Sequence, residues 1–379
     1  MNGKKIAIIG ASYLQLPLIE KAKMEGCITY VFAWHADDPG EKAADYFFPI
    51  SIIEKERILE KCIEIGIDGI CSIASDLAML TVNYVAEKMH LCGNSFASTI
   101  ISTNKYEMRR AFLKNGDPSP SAIEVSADTD LSLLPFQFPI IVKPTDRSGS
   151  RGVCKVQRLE DLHPAVNRAL EQSFERKAII EEFIEGIEYS VEYLSFQGAH
   201  YFLALTQKFT TGAPHFIEKA HLQPADVSRQ DLDRIKKTVE HALDTLGLAN
   251  GASHSEIKIN GDKITIVEIG GRMGGDLIGS HLVPNSCGYD YLKAVLLVAL
   301  GIAPEPPAAN HNGKVVAVRF ILDENDLFAL NRMIKEHSEY LIDYDIQQTD
   351  RVVTDSSTRK GYFVFQADKK EDVERCLAM

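Results

Sequence analysis

The 379-residue sequence contains no apolar run that approaches the roughly 18 residues of a membrane-spanning helix. Its opening, MNGKKIAIIG, has a basic pair and a short apolar run that ends at once. That reads as a first strand, not a signal peptide. Positive charge is in short supply: 41 Lys and Arg stand against 53 Asp and Glu, a net charge of -12 with no dense basic stripe. Nucleic acid is therefore not an expected partner. The seven cysteines include no CxxC pair and are odd in number. They suit reduced thiols in a cytoplasm better than a disulfide framework or a structural zinc site. Two phosphate-binding signatures are also missing. There is no Gly-x-x-x-x-Gly-Lys-Ser/Thr, and Gly10-Ala11-Ser12-Tyr13-Leu14-Gln15 lacks the Gly-x-Gly-x-x-Gly of a dinucleotide-dependent oxidoreductase.

What is present is an alternation of strand-like and helix-like segments. Over the first 95 or so residues, strands are expected at Lys5–Ile9, Ile28–Ala33 and Ile70–Ile73, with helices over Leu16–Glu25, Glu54–Ile65 and Asp76–Met89. That order predicts a parallel α/β sheet. Beyond it, Lys105–Asn115 is a helix closed by Gly116, and Asp161–Phe174 is another. Phe138–Lys143, Ala178–Phe183 and Glu188–Phe196 read as strands. Ser228 caps a long helix to Leu246, with Leu232, Ile235, Val239, Leu243 and Leu246 on one core-facing side. The strands Ser255–Ile259 and Lys263–Ile269 flank Asn260-Gly261-Asp262, a hairpin signal. Tyr289–Leu300 is an apolar helix, and Pro304–Pro307 marks a joint. Strands over Lys314–Leu322 and Gly361–Ala367 and a helix over Lys370–Leu377 close the chain.

Three segments carry chemistry. In Val142-Lys143-Pro144 through Ser148-Gly149-Ser150-Arg151-Gly152, a strand lysine precedes a loop of small residues. Such a loop can turn backbone N–H groups toward a phosphate, or it can be an ordinary glycine hairpin. In Ile179–Glu188, an apolar strand runs into acids. That suits an adenine and a ribose, or simply a solvated strand end. Third, Glu256 and Glu268 lie on the two arms of the hairpin, each among apolar residues, with Arg272 four positions further on. Paired carboxylates in an apolar setting call for a cation, and Mg²⁺ takes hard oxygen ligands. The planar fork of Arg272 matches a carboxylate or a phosphoryl group.

The order of these pieces resembles the ATP-grasp superfamily across nearly the whole chain. The matching residues are Thr103-Asn104-Lys105, Val142-Lys143-Pro144, Ser148–Gly152, Glu181–Glu188, Glu256 and Glu268-Ile269-Gly270-Gly271-Arg272. Within the superfamily the sequence is most similar to the branch of the L-amino-acid ligases and biotin carboxylase. Thr206-Gln207-Lys208-Phe209-Thr210, the stretch from His215 through Glu218 to His221, and Gly271–Asp276 all point that way. The resemblance implies an α/β ATP-grasp fold in three parts. Residues 1–98 would form a Rossmann-like domain, and residues 99–305 the ATP-grasp domain, with a lid at about 117–187. An α+β piece would follow over 306–379.

The resemblance also implies roles. Lys105, Lys143 and Lys208 would serve the nucleotide, and Ser148, Gly149, Ser150 and Gly152 would close over its phosphates. Glu181, Glu182, Phe183 and Ile184 would frame adenine, and Glu188 would bind ribose. Glu256 and Glu268 would hold Mg²⁺ or Mn²⁺, and Arg272 would steady a carboxylate and its acyl-phosphate. One position departs from the pattern: Gly270 stands where the superfamily often has an asparagine that ligates metal. The implied activity is a cytoplasmic, ATP-dependent joining of an acid to an amine, with a homodimer expected by analogy. His215, His221 and His254 are candidates for a base acting on the amine. A structural or solvated role is the plainer reading for His221, and the other two stay open. Rivals are purine-type ligases acting on phosphorylated substrates and a non-catalytic nucleotide-binding regulator. The lack of Lys and Arg in Met273–Tyr289 favours an amino acid over a sugar phosphate.

Overall fold

The computed structural model describes residues 1–132, 134–213, 216–308, 313–347, 349 and 352–378. The Lys5–Ile9 strand pairs in parallel with Ile28–Ala33 on one side and Gly69–Cys71 on the other, and Tyr46–Pro49 forms the outer edge. Ile6 and Ile8 pack into one core, with Leu18, Ile19 and Val31. Ala7 and Ile9 pack into another on the opposite face, with Phe32, Ile58, Val82 and Val85. Helices cover both faces, which is why the strand reads as an unbroken apolar run, not an alternating one. Each buried isoleucine or leucine there contributes about 1.5–3 kcal/mol. The helix Asp76–Lys88 begins at Ser75, whose Oγ accepts from the N–H of Ala78 at 3.2 Å. This cap fixes Asp76 in the first turn, pointing away from the sheet toward the remainder of the chain.

The helix Lys105–Asn115 is capped by the Asn104 side chain and ends at Gly116, with φ 78°. After it comes an antiparallel sheet in the order Ala122–Val125, Ala178–Glu182, Ile140–Pro144, Cys154–Val156. The helix Leu162–Gln172 lays Leu162, Ala165, Val166 and Ala169 against Ile140, Val142 and Ile180 of this sheet.

The third sheet has eight antiparallel strands. Its order is Lys263–Gly270, Gly251–Asn260, Ile187–Phe196, Ala199–Thr210, Glu218–Gln223, Val315–Phe320, Gly361–Ala367, Leu341–Ile346. The helix Arg229–Leu246, capped by Ser228 and stopped at Gly247, buries Ile235, Val239, Leu243 and Leu246 against Tyr193, Ile257 and Ile266. Strands from the C-terminal segment join this sheet directly, since Val315–Phe320 pairs with Glu218–Gln223. The tail and the hairpin are therefore parts of one surface. Among the described residues no helix is long and apolar enough to cross a membrane.

Candidate active site

Two adjoining cavities lie where the three sheets meet. The smaller, about 170 Å³, sits between the second sheet and the hairpin. Lys105 and Lys143 face it from a helix and a strand, and Ser148, Gly149 and Ser150 from the loop. Glu181, Glu182, Phe183, Ile184 and Glu188 border its outer end, and Glu256 and Glu268 its floor. Gly152 stands behind the loop, at φ 70° and close to the Pro144 ring.

Few of these groups are free. Lys105 Nζ donates to Glu268 Oε1 at 2.7 Å and to the Arg147 carbonyl at 2.6 Å, which ties helix, loop and hairpin together. Lys143 Nζ lies 2.7 Å from Glu181 Oε2. Arg109 Nε lies 2.8 Å from Glu181 Oε1, an ion-pair contact outside hydrogen-bond geometry. All three side chains are at most 6% exposed. Burial raises the Glu181 carboxyl, but Arg109 and Lys143 outweigh it and hold the group below its ordinary value. Burial pushes Lys143 down, with Glu181 opposing. Both oxygens of the Glu181 carboxylate are thus committed to these cations, while the residue still borders the cavity where it was expected to help frame adenine. Arg109 has a sequence signal, since it follows Lys105 by four positions and so shares a helix face with it.

Lys208 is an enclosed cation, its side chain 4% exposed. Its Nζ lies 2.6 Å from Glu256, 3.0 Å from Glu188 and 3.8 Å from Glu218. Burial works against its charge, but Glu256, Glu188 and Glu218 outweigh burial and hold it well above the usual lysine range. Glu188, expected at a ribose, is thereby drawn toward Lys208.

The larger cavity, about 350 Å³, opens on the far side of Lys208. Arg272 borders both cavities. Its Nε and Nη2 donate to the two oxygens of Asp76 at 2.9 and 3.0 Å, and its Nη1 donates to the Met273 carbonyl at 3.2 Å. Asp76 comes from the first domain and was not expected at the site. Burial raises its carboxyl, but Arg272 more than compensates and keeps it below its ordinary value.

His254 lies two residues before Glu256 and faces it at 3.6 Å from Nε2, as strand alternation requires. Its Nδ1 is in short contact with Glu192, a fully buried carboxylate. Burial lowers the imidazole, yet Glu192 and Glu256 raise it further, to about 9. The contacts with Glu192 and Glu256 favour the charged ring, which has no lone pair to offer while it is protonated. His215, the other expected base, lies outside the described residues.

His221 is fully buried on the wall of the larger cavity, and neither ring nitrogen has a hydrogen-bond partner. Its Nε2 is 3.6 Å from Asp276. Asp276 is gripped at both oxygens by Arg359, whose Nη1 contact is 3.0 Å. Arg359 and Arg151 line this cavity, so the lack of basic residues in 273–289 does not leave it without cations. Arg359, however, is committed to Asp276 and to the Ser356 carbonyl, at 2.8 Å.

The paired carboxylates suit a divalent ion in part. Glu256 and Glu268 are register partners across the hairpin, so two hard oxygen donors face one another. No side chain is available at position 270.

Residues 136–280 match the ATP-grasp domain family. The chain is 22% identical over 339 residues to carnosine synthase 1 of Mus musculus, covering 81% of this chain and 41% of that protein. It is 26% identical over 234 residues to the alanine–anticapsin ligase of Bacillus subtilis strain 168, covering 54% and 49%. It thus spans less than half the length of these curated relatives. Among solved structures, the L-amino acid ligase from Bacillus licheniformis superposes over 100% of this chain and 97% of its own, with a TM-score of 0.84 at 22% identity. Paired carboxylates on a hairpin and the glycine loop both fall within the matched segment, and residues 136–280 are an ATP-grasp domain.

Proposed function

We propose that the chain is a Mg·ATP-dependent carboxylate–amine ligase acting through an acyl-phosphate, with a free amino acid as a substrate. One observation carries this reading: Lys208, Glu256 and Arg272 line both cavities. A nucleotide in the smaller cavity and an acid in the larger would therefore meet at one set of charged groups.

An oxygen of the substrate carboxylate attacks the γ-phosphorus of ATP, and ADP leaves. The amine then attacks the carbonyl of the acyl-phosphate, giving an amide, inorganic phosphate and a proton. Lys105 and Lys143 serve the phosphates, and the Ser148–Gly152 loop closes over them. Arg272, aimed by Asp76, holds the carboxylate in line and stabilises charge on the acyl-phosphate. Glu256 and Glu268 would hold Mg²⁺ or Mn²⁺, which neutralises charge on the phosphates. The second sheet excludes water from the intermediate. Seven unpaired cysteines support a reducing, cytoplasmic setting.

The test is phosphate release from Mg·ATP with free L-amino acids, supplied singly and in pairs. Release that requires particular amino acids supports the reading. No release across the panel, with ATP bound, turns the assignment to other acids.

A further inference from the structure

The departure at Gly270 has a physical cause in this chain. A Cβ placed there would lie 2.7 Å from Asp76 Oδ1 and 3.3 Å from the Arg272 guanidinium. The space in which a side chain at 270 would reach toward the hairpin carboxylates is already filled by the Asp76–Arg272 pair. A side chain added at 270 would therefore require Asp76 to move.

On the other side of the hairpin a positive charge is built in. The Lys208 ammonium sits among Glu188, Glu218 and Glu256 at 3.0, 3.8 and 2.6 Å, with 4% of its side chain exposed. Three carboxylates surround this point, and a covalently attached monovalent cation balances their charge. The same lysine faces the nucleotide cavity, where phosphate charge must be balanced.

Resting on the nucleotide reading above, we infer that this site works with a single divalent ion at the Glu256–Glu268 pair, and that Lys208 is the fixed cation standing in for a second. The glycine at 270 removes one ligand for a second ion, and the lysine holds the remaining carboxylates.

The experiment is a Mn²⁺ titration of the full chain saturated with a non-hydrolysable ATP analogue, with free Mn²⁺ read by electron paramagnetic resonance. The expected count is one ion per bound nucleotide in the native protein. Lys208→Met frees Glu188, Glu218 and Glu256 and should raise the count to two, whereas Lys208→Arg should leave it at one. Two ions in the native protein overturn the inference whatever the variants do, so it stays testable even if Lys208→Met does not fold. A Lys208→Met protein that binds nucleotide with one ion also overturns it. Nucleotide binding with the wrong ion count strikes only this inference. No nucleotide binding at all overturns the ligase reading together with it.

Discussion

Arg272 and Asp76 lie 196 positions apart in the chain and meet in a two-point ion pair at 2.9 and 3.0 Å. The aspartate belongs to the parallel-sheet domain and the arginine follows the hairpin strand Lys263–Gly270, so the pair fastens the two where the cavities join. Asp76→Asn keeps the shape but weakens the grip on the guanidinium. Turnover should fall about 100-fold, as expected when a positioned group drifts by about an ångström. Nucleotide affinity should stay within about threefold, because Asp76 touches no group that faces the nucleotide alone. Steady-state phosphate release beside a nucleotide titration separates the two effects. An equal loss in both would show that the pair only holds the domains together.

Asp76, Glu181 and Asp276 are each held below their ordinary carboxylate values by arginine or lysine partners that outweigh burial. A depressed carboxyl in the folded state means that the unfolded chain binds more protons in the acid range. These groups therefore stabilise the fold fully at neutral pH and lose that contribution as pH falls through the folded-state values, beginning below about pH 5. Thermal unfolding followed from pH 7 downward should show the midpoint dropping on the acid side. Asp276→Asn should flatten that drop, and an unchanged slope would argue against the pair with Arg359.

Arg109→Met removes one of the two cations from a carboxylate that is only 3% exposed. Breaking a buried ion pair from one side costs about 3–5 kcal/mol. Arg109→Met should show a loss of that order in denaturant unfolding, and adding Glu181→Gln should restore most of it, because no uncompensated charge then remains. A double variant as unstable as the single would mean that packing, not charge, explains the loss.

Gly186 connects the second sheet to the eight-stranded one at φ 140°, and a Cβ there would lie 2.6 Å from the Ile259 carbonyl oxygen. Gly186→Ala should lower stability by about 1–3 kcal/mol from the backbone conformation alone. The contact with a backbone atom adds to that cost, since neither strand can easily give way. Calorimetry checks the shift, and Gly212→Ala, where the added methyl meets nothing within 4 Å, serves as the comparison.

The parts of the fold that repeat a simple rule were legible in the sequence. Buried parallel strands gave continuous apolar runs, and helix ends were marked by Ser228 at a start and by Gly116 and Gly247 at the stops. The strand Glu218–Gln223 was not recognised as one. Its sequence, EKAHLQ, is polar, yet His221 and Gln223 are fully buried: His221 lines the larger cavity, and Gln223 is held by Thr206 and Ser286. Local pattern cannot announce a strand whose buried polar groups find their surroundings only through tertiary structure. At the site, the residues next to the glycine loop and along the hairpin could be named in advance because their spacing is local. Asp76, Glu192 and Arg359 could not, since each matters only through a partner brought to it by tertiary structure.

The continuity of the eight-stranded sheet has a bearing on how such a protein can diversify. The smaller cavity is built from residues 105–268 and their immediate neighbours, whereas the larger one also draws Tyr13 from the first domain and Phe320, Arg359 and Tyr362 from the tail. Exchange of the tail strands would redraw the distant wall of the larger cavity and leave the smaller cavity standing. On the proposed reading, choice of reactant and supply of energy would be written in separable stretches of the chain, joined at Arg272 and Lys208.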